Sequence, residues 1–587
     1  MPKNALLLSL STATLMLGGC LDTSVYEPDA GSETTAEPDG TTLDATWPDV
    51  LTTTEGMPEG DETSGGAPTL GECEPGMTAA CPYGGPAENE GVGACKAAMR
   101  TCGDDGAWRP CRGEVLPRAE DCRTQIDESC DGSVSCDGQV VWARGFGEAP
   151  DGEPGSVSLY GLTVDGDGRV WLAGRFSESL RFGEQTWDAA SYGTFMMAGI
   201  DGDGVPGFSF GDEQVGAFGF GGRIVSDGGG RLGVSAGYQG HLKIHPDSPD
   251  YQTNEVTPSV VVGMLTTAGA YRWSRALRPE YSAAVSIHAM AFDGAGNLWV
   301  AGDFGSGDLA VGSPEEPVIL ANHGGEDAFL LEMSPDGELI WADRFGDEQE
   351  QEINGIAVDA AGSVWLTGGF MGAMQFKGGA VYALKDEQDS QNMFIVKLDA
   401  SGTWQWGRAL GDGKSQRFLR IRLDRDGNAV VGGENSGTVK NLGAEALVHE
   451  GPGSSPVVAK FDPEGKVLWA REWACDGYCA ASSLAVDGAG QSVGVLSFGW
   501  GNTLIVDGQT FTADPDESGA IVVKLDREGD IVWVSDRVPG DPEVAVDALG
   551  EVLLAGDFKT YASFGDGKFQ LNAGVGDTDL YVLKMRP

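Results

Sequence analysis

The side chains best suited to chemistry lie close together in one polar stretch of the chain. Its aromatic and ionisable members are Tyr238, His241, His245, Asp247, Asp250 and Tyr251. Imidazole nitrogens beside carboxylate oxygens are ligands that zinc and other transition metals accept, so these histidines and aspartates could hold a metal ion. The same spacing also fits alternate faces of a strand or an exposed loop. We predict that the two tyrosines and two histidines contribute to a ligand-binding surface.

Established catalytic motifs occur only in contexts that exclude them. Segments 207–211 and 233–237 match G-x-S-x-G, but that motif needs a strand-to-helix turn and both lie within expected strands. Segment 411–415 approaches a P-loop, yet Arg408 occupies the place of the first glycine. The chain has five histidines and no H-E-x-x-H. We therefore predict no catalytic residue, although the 89 acidic residues leave carboxylate chemistry open.

A second candidate cation site lies at Asp127 and Asp131. Residues 120–132 read EDCRTQIDESCDG. This stretch resembles a cysteine-rich motif of secreted bacterial proteins that is associated with metal binding and reads E-x-C…D-x-D-C-D-G. The resemblance suggests calcium and no other cofactor, although Glu128 and Ser129 replace part of the acidic core. The alternative is a spacer held together by disulfides.

The composition favours a location outside the cytoplasm and excludes nucleic acid as a partner. Of 587 residues, 89 are Asp or Glu and 38 are Lys or Arg, which gives a formal net charge of −51. Binding to a phosphate backbone requires a basic surface. The 91 glycines are about twice the usual share of roughly 7% and indicate many tight turns.

The first twenty residues resemble the export signal of bacterial lipoproteins. Lys3 precedes an apolar stretch that ends in Leu-Gly-Gly-Cys at 17–20, which matches the lipobox of that family. The resemblance implies a signal peptide over 1–19 and lipid on Cys20, so that acyl chains alone hold the protein to a membrane. Leu21 in place of Asp implies the outer membrane. We expect exposure on the cell surface, with the periplasmic face as the alternative.

Residues 20–72 are predicted to form a disordered tether. Between 21 and 72 there are 13 acidic residues and no Lys or Arg, and Thr, Ser, Pro and Gly fill much of the remainder. Such a segment cannot bury enough apolar surface to offset the entropy lost on ordering. Its like charges repel and extend it, so we expect it to hold the following domains away from the membrane.

The cysteines predict a compact disulfide-rich module over 73–137. Lipidation of Cys20 would leave ten of the eleven cysteines. They are Cys73, Cys81, Cys95, Cys102, Cys111, Cys122, Cys130 and Cys136 in the module, and Cys475 and Cys479 further along. An even number in an exported chain implies disulfides, which would replace the apolar core that the module lacks. Eight cysteines allow about 105 pairings, and zinc is disfavoured because the module has no C-x-x-C pair and no histidine.

Residues 138–587 contain seven copies of one pattern. In each copy an apolar strand ends in Asp, a turn follows and a second strand begins, as in IAVDAAGSVWLTG. The repeated aspartates are Asp165, Asp227, Asp293, Asp359, Asp424, Asp487 and Asp547, spaced by 60 to 66 residues. A later strand in the second to sixth copies carries Trp273, Trp341, Trp406, Trp469 and Trp533, and Phe208 takes this place in the first copy. Asp can accept hydrogen bonds from the turn backbone, and Gly permits positive φ.

Four short strands per repeat predict an all-β fold, a seven-bladed β-propeller with four-stranded blades, preceded by the small disulfide-rich module. The last repeat ends at YVLKMRP, before any Trp strand. The missing strand matches residues 138–147, GQVVWARGFG, which are similar to GELIWADRFG. We expect this N-terminal strand to be the outer strand of the seventh blade and to close the ring, which removes an open sheet edge.

The repeats resemble the bacterial beta-propeller repeat (SBBP) family and, more loosely, NHL repeats, and INGIAVDAAGSVWLTGGF is the best match. The resemblance covers about three quarters of the chain. It implies a propeller without a fixed activity. It also implies that the first strand of each repeat lines a central channel, that the Asp turns share one face and that the long connections share the other.

The long connections are the favoured place for a ligand, because variable loops on a rigid scaffold carry function in such folds. Trp500 beside Phe498 could stack on a sugar or pack in the core. We predict a lipid-anchored binding protein, not an enzyme, whose loop face binds a protein or glycan. The alternatives are a periplasmic scaffold for envelope assembly and a lyase or glycosidase with a carboxylate pair at the channel mouth. The oligomeric state is not predicted.

Overall fold

The computed structural model describes residues 73–587 apart from 125, 148–155, 190–192, 212–217, 221, 254–257, 280–283, 306, 379–380, 384–389, 444–445 and 574–577. The predicted signal peptide, Cys20 and the tether lie outside these residues. In the described part, no helix is long and apolar enough to cross a membrane. The only helix described there is the 3-10 turn Ala87–Asn89.

Seven antiparallel four-stranded sheets form the blades within the described residues, each ordered from the inner to the outer strand. Blade 1 comprises Ser156–Val164, Val170–Ser177, Thr194–Ile200 and Pro206–Gly211, and blade 2 comprises Ile224–Ser226, Arg231–Gln239, Ser259–Thr266 and Tyr271–Pro279. Blade 3 comprises Val285–Phe292, Leu298–Gly305, Glu326–Met333 and Leu339–Phe345, and blade 4 comprises Gln351–Val358, Val364–Phe370, Asn392–Leu398 and Trp404–Leu410. Blade 5 comprises Gln416–Leu423, Ala429–Asn435, Ser455–Phe461 and Val467–Glu472, and blade 6 comprises Cys479–Val486, Ser492–Phe498, Gly519–Leu525 and Ile531–Val534. Blade 7 comprises Glu543–Val546, Val552–Phe558, Asp579–Met585 and Val140–Phe146. Phe218–Phe220 and Val538–Pro539 add short edge pairings to blades 2 and 6. The predicted seven-bladed, four-stranded propeller is confirmed.

The ring closes as the sequence predicts. The outer strand of blade 7 is Val140–Phe146, which pairs with the C-terminal strand from Val140 opposite Met585 to Phe146 opposite Leu580. The first and last parts of the propeller therefore share one sheet. Opening the ring would require breaking the hydrogen bonds of this sheet as well as the packing between blades.

The repeat aspartates cap the turn between the inner and second strands of every blade. Asp165 shows the geometry, since its Oδ1 accepts hydrogen bonds from the backbone N–H groups of Asp167 and Arg169, both at 3.0 Å. The other six repeat aspartates accept the same two bonds. Each Asp therefore replaces hydrogen bonds that the turn backbone cannot make to itself.

An aromatic side chain on each outer strand packs against a turn of the next blade. Trp469 Nε1 donates to the carbonyl of Arg527 at 2.8 Å, and the indole lies against Gly529. Seven such pairs complete the circle: Trp142 with Gly204, Phe208 with Gly269, Trp273 with Gly337, Trp341 with Gly402, Trp406 with Gly465, Trp469 with Gly529, and Trp533 with Gly138. All seven glycines have positive φ. The expected Phe208 therefore takes the tryptophan position in blade 1.

The long connections between the second and third strands do not remain open loops. Each contains a short hairpin: Ser179–Phe182 with Gln185–Asp188, His241–Leu242 with Tyr251–Gln252, Leu309–Gly312 with Pro317–Leu320, Ala373–Gln375 with Val381–Ala383, Thr438–Val439 with Leu447–Val448, Thr503–Val506 with Gln509–Thr512, and Tyr561–Phe564 with Phe569–Asn572. Apolar hairpin residues enter the core between blades. Phe182, for example, stacks on Phe146 of the preceding blade with ring centroids 4.2 Å apart. This burial fills the space that widens between blades towards the rim.

The cysteine-rich module is held by four disulfides. They are Cys73–Cys102, Cys81–Cys111, Cys95–Cys130 and Cys122–Cys136. The fifth, Cys475–Cys479, closes a loop before blade 6. The predicted disulfides are therefore present, and they are typical of an oxidising, extracytoplasmic environment. The only strands described in the module, Thr78–Ala80 and Met99–Thr101, pair with each other.

Candidate functional site

The propeller has two different faces. The Asp turns form one of them, which we call the turn face, and the hairpins and the connections between blades form the loop face, as predicted. The cysteine-rich module contacts the turn face at blade 6. There Gln491 Nε2 donates to the carbonyl of Glu120 at 2.8 Å, the N–H of Cys122 donates to Gln491 Oε1 at 3.2 Å, and Arg123 pairs with Glu528 at 2.7 Å. These contacts of the module thus all lie on the turn face.

Two of the predicted binding residues, Tyr238 and His245, are buried in the interior of the propeller. Tyr238 is 1% exposed, and burial raises the pKa of its phenol to about 12. His245 is also buried, with Nε2 3.0 Å from the carbonyl of Gly269 and Nδ1 accepting the N–H of Asp247 at 3.1 Å. Burial lowers the pKa of this imidazole, which favours the neutral ring. The structure therefore places Tyr238 and His245 in the interior between blades 1 and 2, away from the surface that the sequence suggested.

The other two predicted binding residues of that stretch, His241 and Tyr251, lie on the blade 2 hairpin. His241 is partly exposed, with Nδ1 3.5 Å from Asp250 Oδ2. The hydroxyl of Tyr251 is 2.7 Å from Ser274 Oγ, so it is tied to the outer strand of its own blade. Within the described residues, no group of three or more His, Cys, Asp or Glu side chains is arranged to hold a metal ion.

The two aspartates of the cysteine-rich module bind backbone. Asp127 accepts the N–H of Cys130 at 2.5 Å and of Gly132 at 2.9 Å through its two oxygens. Asp131 accepts the N–H of Ser133 at 2.7 Å. Asp127 thus stabilises the loop around Cys130 in the structure, a role that a capping carboxylate performs without a cation.

Among the residues that the structure describes, the most exposed large aromatic side chains of the loop face belong to blade 6. Tyr478 is 73% exposed and Trp500 is 67% exposed, whereas Phe498 is 1% exposed and packs in the core. The two exposed rings are held in neighbouring loops, because the N–H of Gly499 donates to the carbonyl of Tyr478 at 3.1 Å. We call Tyr478 and Trp500 the blade 6 aromatic pair.

The loop that carries Tyr478 is braced on both sides. The Cys475–Cys479 disulfide closes it, and Asp476 Oδ1 accepts the N–H of Thr503 at 2.6 Å. The backbone of the loop that carries Tyr478 therefore needs little further ordering when a ligand binds, which reduces the entropy cost of binding. Sequence reasoning identified Trp500 and missed Tyr478, although its position between two cysteines four residues apart was a usable signal.

A carboxylate pair lies where the inner strand of blade 7 begins on the loop face. Asp557 has its pKa raised to about 6 by burial and by the nearby charges of Asp541 and Glu517. Asp541 Oδ1 accepts the hydroxyl of Ser482 at 2.6 Å and that of Ser497. A carboxylic acid whose pKa is raised to about 6 can act as a general acid near neutral pH. A second carboxylate near such an acid is one element of the glycosidase alternative.

One residue per blade forms a layer of the central channel, which we call the channel ring. Each member lies four residues before the repeat Asp and pairs with the second strand at the same register. The members are Gly161, Arg223, Ala289, Gly355, Arg420, Ser483 and Glu543. Sequence reasoning missed this ring, although aligning the repeats on their aspartates would have shown three charged residues at a position that is otherwise small.

The chain matches no protein-family model and no curated protein sequence. Among solved structures, a Dyadobacter fermentans protein of unknown function is 9% identical, with 77% of this chain and 100% of that chain covered and a TM-score of 0.34. Puromycin hydrolase is 13% identical over 69% of this chain and 59% of that chain, with a TM-score of 0.29. The leech intramolecular trans-sialidase is 11% identical over 78% and 71%, with a TM-score of 0.29. Similarity at this level says nothing about activity.

Proposed function

We propose that the protein is a non-catalytic binding protein of the bacterial cell envelope, anchored through lipid on Cys20, and that the loop face of its propeller captures a glycan chain. The observation that carries this proposal is the blade 6 aromatic pair. Trp and Tyr present large rigid surfaces with polar tips, and the C–H faces of sugar rings pack well against such surfaces. A protein partner would use the same two rings as anchors.

The position of the cysteine-rich module supports this orientation. Residues 119–123 reach the turn face at blades 6 and 7, where Ala119 lies beside Gly550 and Gln491 binds Glu120. The chain then enters the outer strand of blade 7 at Val140, which is opposite Met585 at the end of that strand nearest the turn face. The described chain that precedes the propeller therefore enters it from the turn face. The loop face is the side left free for a ligand.

The test compares ligand binding by variants of the aromatic pair. Full mature protein in detergent would be applied to an array of bacterial and plant polysaccharides, together with the double variant Tyr478→Ala and Trp500→Ala. Tyr561→Ala is the matched control, because Tyr561 is also exposed, at 46%, but lies on the blade 7 hairpin. Anchor aromatics typically contribute about 2 kcal/mol each, so the double variant should lose about 4 kcal/mol, which is about 1,000-fold in affinity.

Two results would overturn the proposal. One is glycan binding that the double variant retains, and the other is loss of binding in Tyr561→Ala to the same extent. Binding of a protein and of no glycan by the same aromatic pair would keep the binding function and change the ligand class.

The carboxylate pair at blade 7 supports a second candidate, a glycoside-cleaving enzyme. Asp557, with its pKa raised to about 6, would protonate the leaving oxygen, and Asp541 would act as base or nucleophile. Incubating the protein with the polysaccharides that it binds, followed by mass spectrometry, separates the two functions. Products that disappear in Asp557→Asn would establish the enzyme, and intact polysaccharide would support the binding protein.

A further inference from the structure

Three arginines meet inside the central channel. Arg223 and Arg420 belong to the channel ring, and Arg422 lies in the next layer towards the turn face, two residues before the repeat Asp. The other members of that second layer are Thr163, Val225, Ala291, Ala357, Ala485 and Ala545. All three arginines line one narrow cavity with a volume of about 50 Å³. Arg422 therefore stands alone as a charged residue in a layer of small side chains.

One carboxylate balances part of this charge. Glu543 Oε1 lies 3.1 Å from Nη1 of Arg223 and 2.9 Å from Nη2 of Arg420, and its Oε2 accepts the hydroxyl of Ser483 at 2.7 Å. Burial alone would raise the pKa of Glu543, but the two guanidinium groups lower it to about 2. The carboxylate is thus fully ionised and already engaged through both oxygens.

Arg422 has no such partner. In the described part of the chain no carboxylate oxygen lies within 4 Å of its guanidinium, and Nη1 donates to the carbonyl of Ile421 at 2.9 Å. A guanidinium has five N–H donors, so most of them face the cavity unused. His288, which also lines the cavity, pairs with Asp303 and does not supply a free charge.

The channel therefore carries more positive than negative charge. Burial and the neighbouring Arg420 lower the pKa of both other arginines, that of Arg223 to about 10. Among the side chains that line this cavity, three guanidiniums and one carboxylate leave a net excess of positive charge, although the whole chain carries −51. Arg223 and Arg420 are mostly buried, whereas Arg422 is exposed to the water of the channel. Excess charge away from bulk water is costly unless a counter-ion neutralises it.

We propose that the central channel binds a small oxyanion, such as phosphate, sulfate or a carboxylate, with Arg422 as its principal ligand and Arg223 and Arg420 as its neighbours. The planar guanidinium fork matches the two oxygens of such anions. The acidic surface repels large polyanions and the cavity is narrow, so the site selects small anions. This proposal does not depend on the blade 6 aromatic pair or on a glycan ligand.

The test is calorimetric titration of the full mature protein with inorganic phosphate, sulfate and acetate, at ionic strength held constant with sodium chloride. We expect saturable binding of at least one of these anions with one site per chain. Arg422→Met should weaken that binding at least tenfold. Arg471→Met is the matched control, because Arg471 lies on the outer strand of blade 5 and pairs with Asp530. The affinity of this variant for the anion should equal that of the wild-type protein.

Two results would overturn the proposal. One is the absence of saturable binding of all three anions by the wild-type protein, and the other is unchanged affinity in Arg422→Met. That variant should fold, because the side chain of Arg422 bonds only a carbonyl of its own strand in the described structure. If Arg422→Met does not fold, the same anion titration is carried out with Arg422→Lys. Lysine keeps the charge but loses the fork, so affinity should fall without being abolished, and an affinity equal to wild type would contradict the role of Arg422.

Discussion

One buried glutamine contributes two hydrogen bonds to the docking of the cysteine-rich module on the turn face, and its removal gives a quantitative prediction. Gln491 receives the N–H of Cys122 at 3.2 Å and donates to the carbonyl of Glu120 at 2.8 Å. It is fully buried. Gln491→Ala removes both hydrogen bonds. At about 1 kcal/mol each, the loss of about 2 kcal/mol should increase local opening of the module by about 30-fold.

Hydrogen exchange measures that opening directly. The amide of Cys122 should exchange about 30-fold faster in Gln491→Ala than in the wild type, with the inner strands of the blades unchanged. Asn428→Ala is the matched control in blade 5. Asn428 donates to its own turn aspartate, Asp424, at 2.9 Å and, in the described structure, to no residue of the module. Equal exchange of Cys122 in both variants would refute the docking, and with it the assignment of the loop face as the free side.

Two further predictions concern the blades. Gly529→Ala places a Cβ 2.6 Å from the indole of Trp469 at a φ of +80°, whereas Gly508→Ala has a similar φ of +73° and no atom within 4 Å. The thermal midpoint should therefore fall by several degrees more for Gly529→Ala, and equal midpoints would contradict the contact between blades. The pKa of Asp557 is about 6 in the folded chain and about 4 in the unfolded chain. The folded state is therefore stabilised relative to the unfolded state at low pH, and this stabilisation is lost as the pH rises from about 4 to above 6. We expect the free energy of unfolding of Asp557→Asn, measured with denaturant, to equal that of the wild type at pH 4 and to exceed it by up to about 3 kcal/mol at pH 7.5. A difference between the two proteins that does not change with pH would contradict burial of Asp557 beside Asp541.

The fold was predictable because its signals are local and repeated. A strand, an Asp turn and a second strand are encoded within some fifteen residues, and seven copies exclude most alternatives. The outer strand at Val140–Phe146 could be placed in blade 7 because the last repeat ends one strand short. Even the substitution of Phe208 for tryptophan could be read from its place in the repeat, since any large ring can pack on the glycine of the next blade.

The site was harder to predict because its determinants are distant in sequence. Tyr238 and His245 look polar and available, but the hairpin of blade 2 turns them towards the core. The docking of Gln491 on Glu120 joins residues that are 371 positions apart. The ion pairs of Glu543 with Arg223 and Arg420 cross the channel between three blades. Only the ring geometry brings such residues together, and no local pattern encodes it.

The central claim is that the propeller is displayed outside the cell with its loop face free. Protease added to intact cells that carry the protein tests this most directly, with an antibody against the propeller as the readout. Cleavage in the predicted tether, residues 20–72, should release into the medium a compact fragment that begins near residue 73 and remains resistant to further digestion. Full protection of the protein until the outer membrane is opened would contradict the claim and favour a periplasmic scaffold.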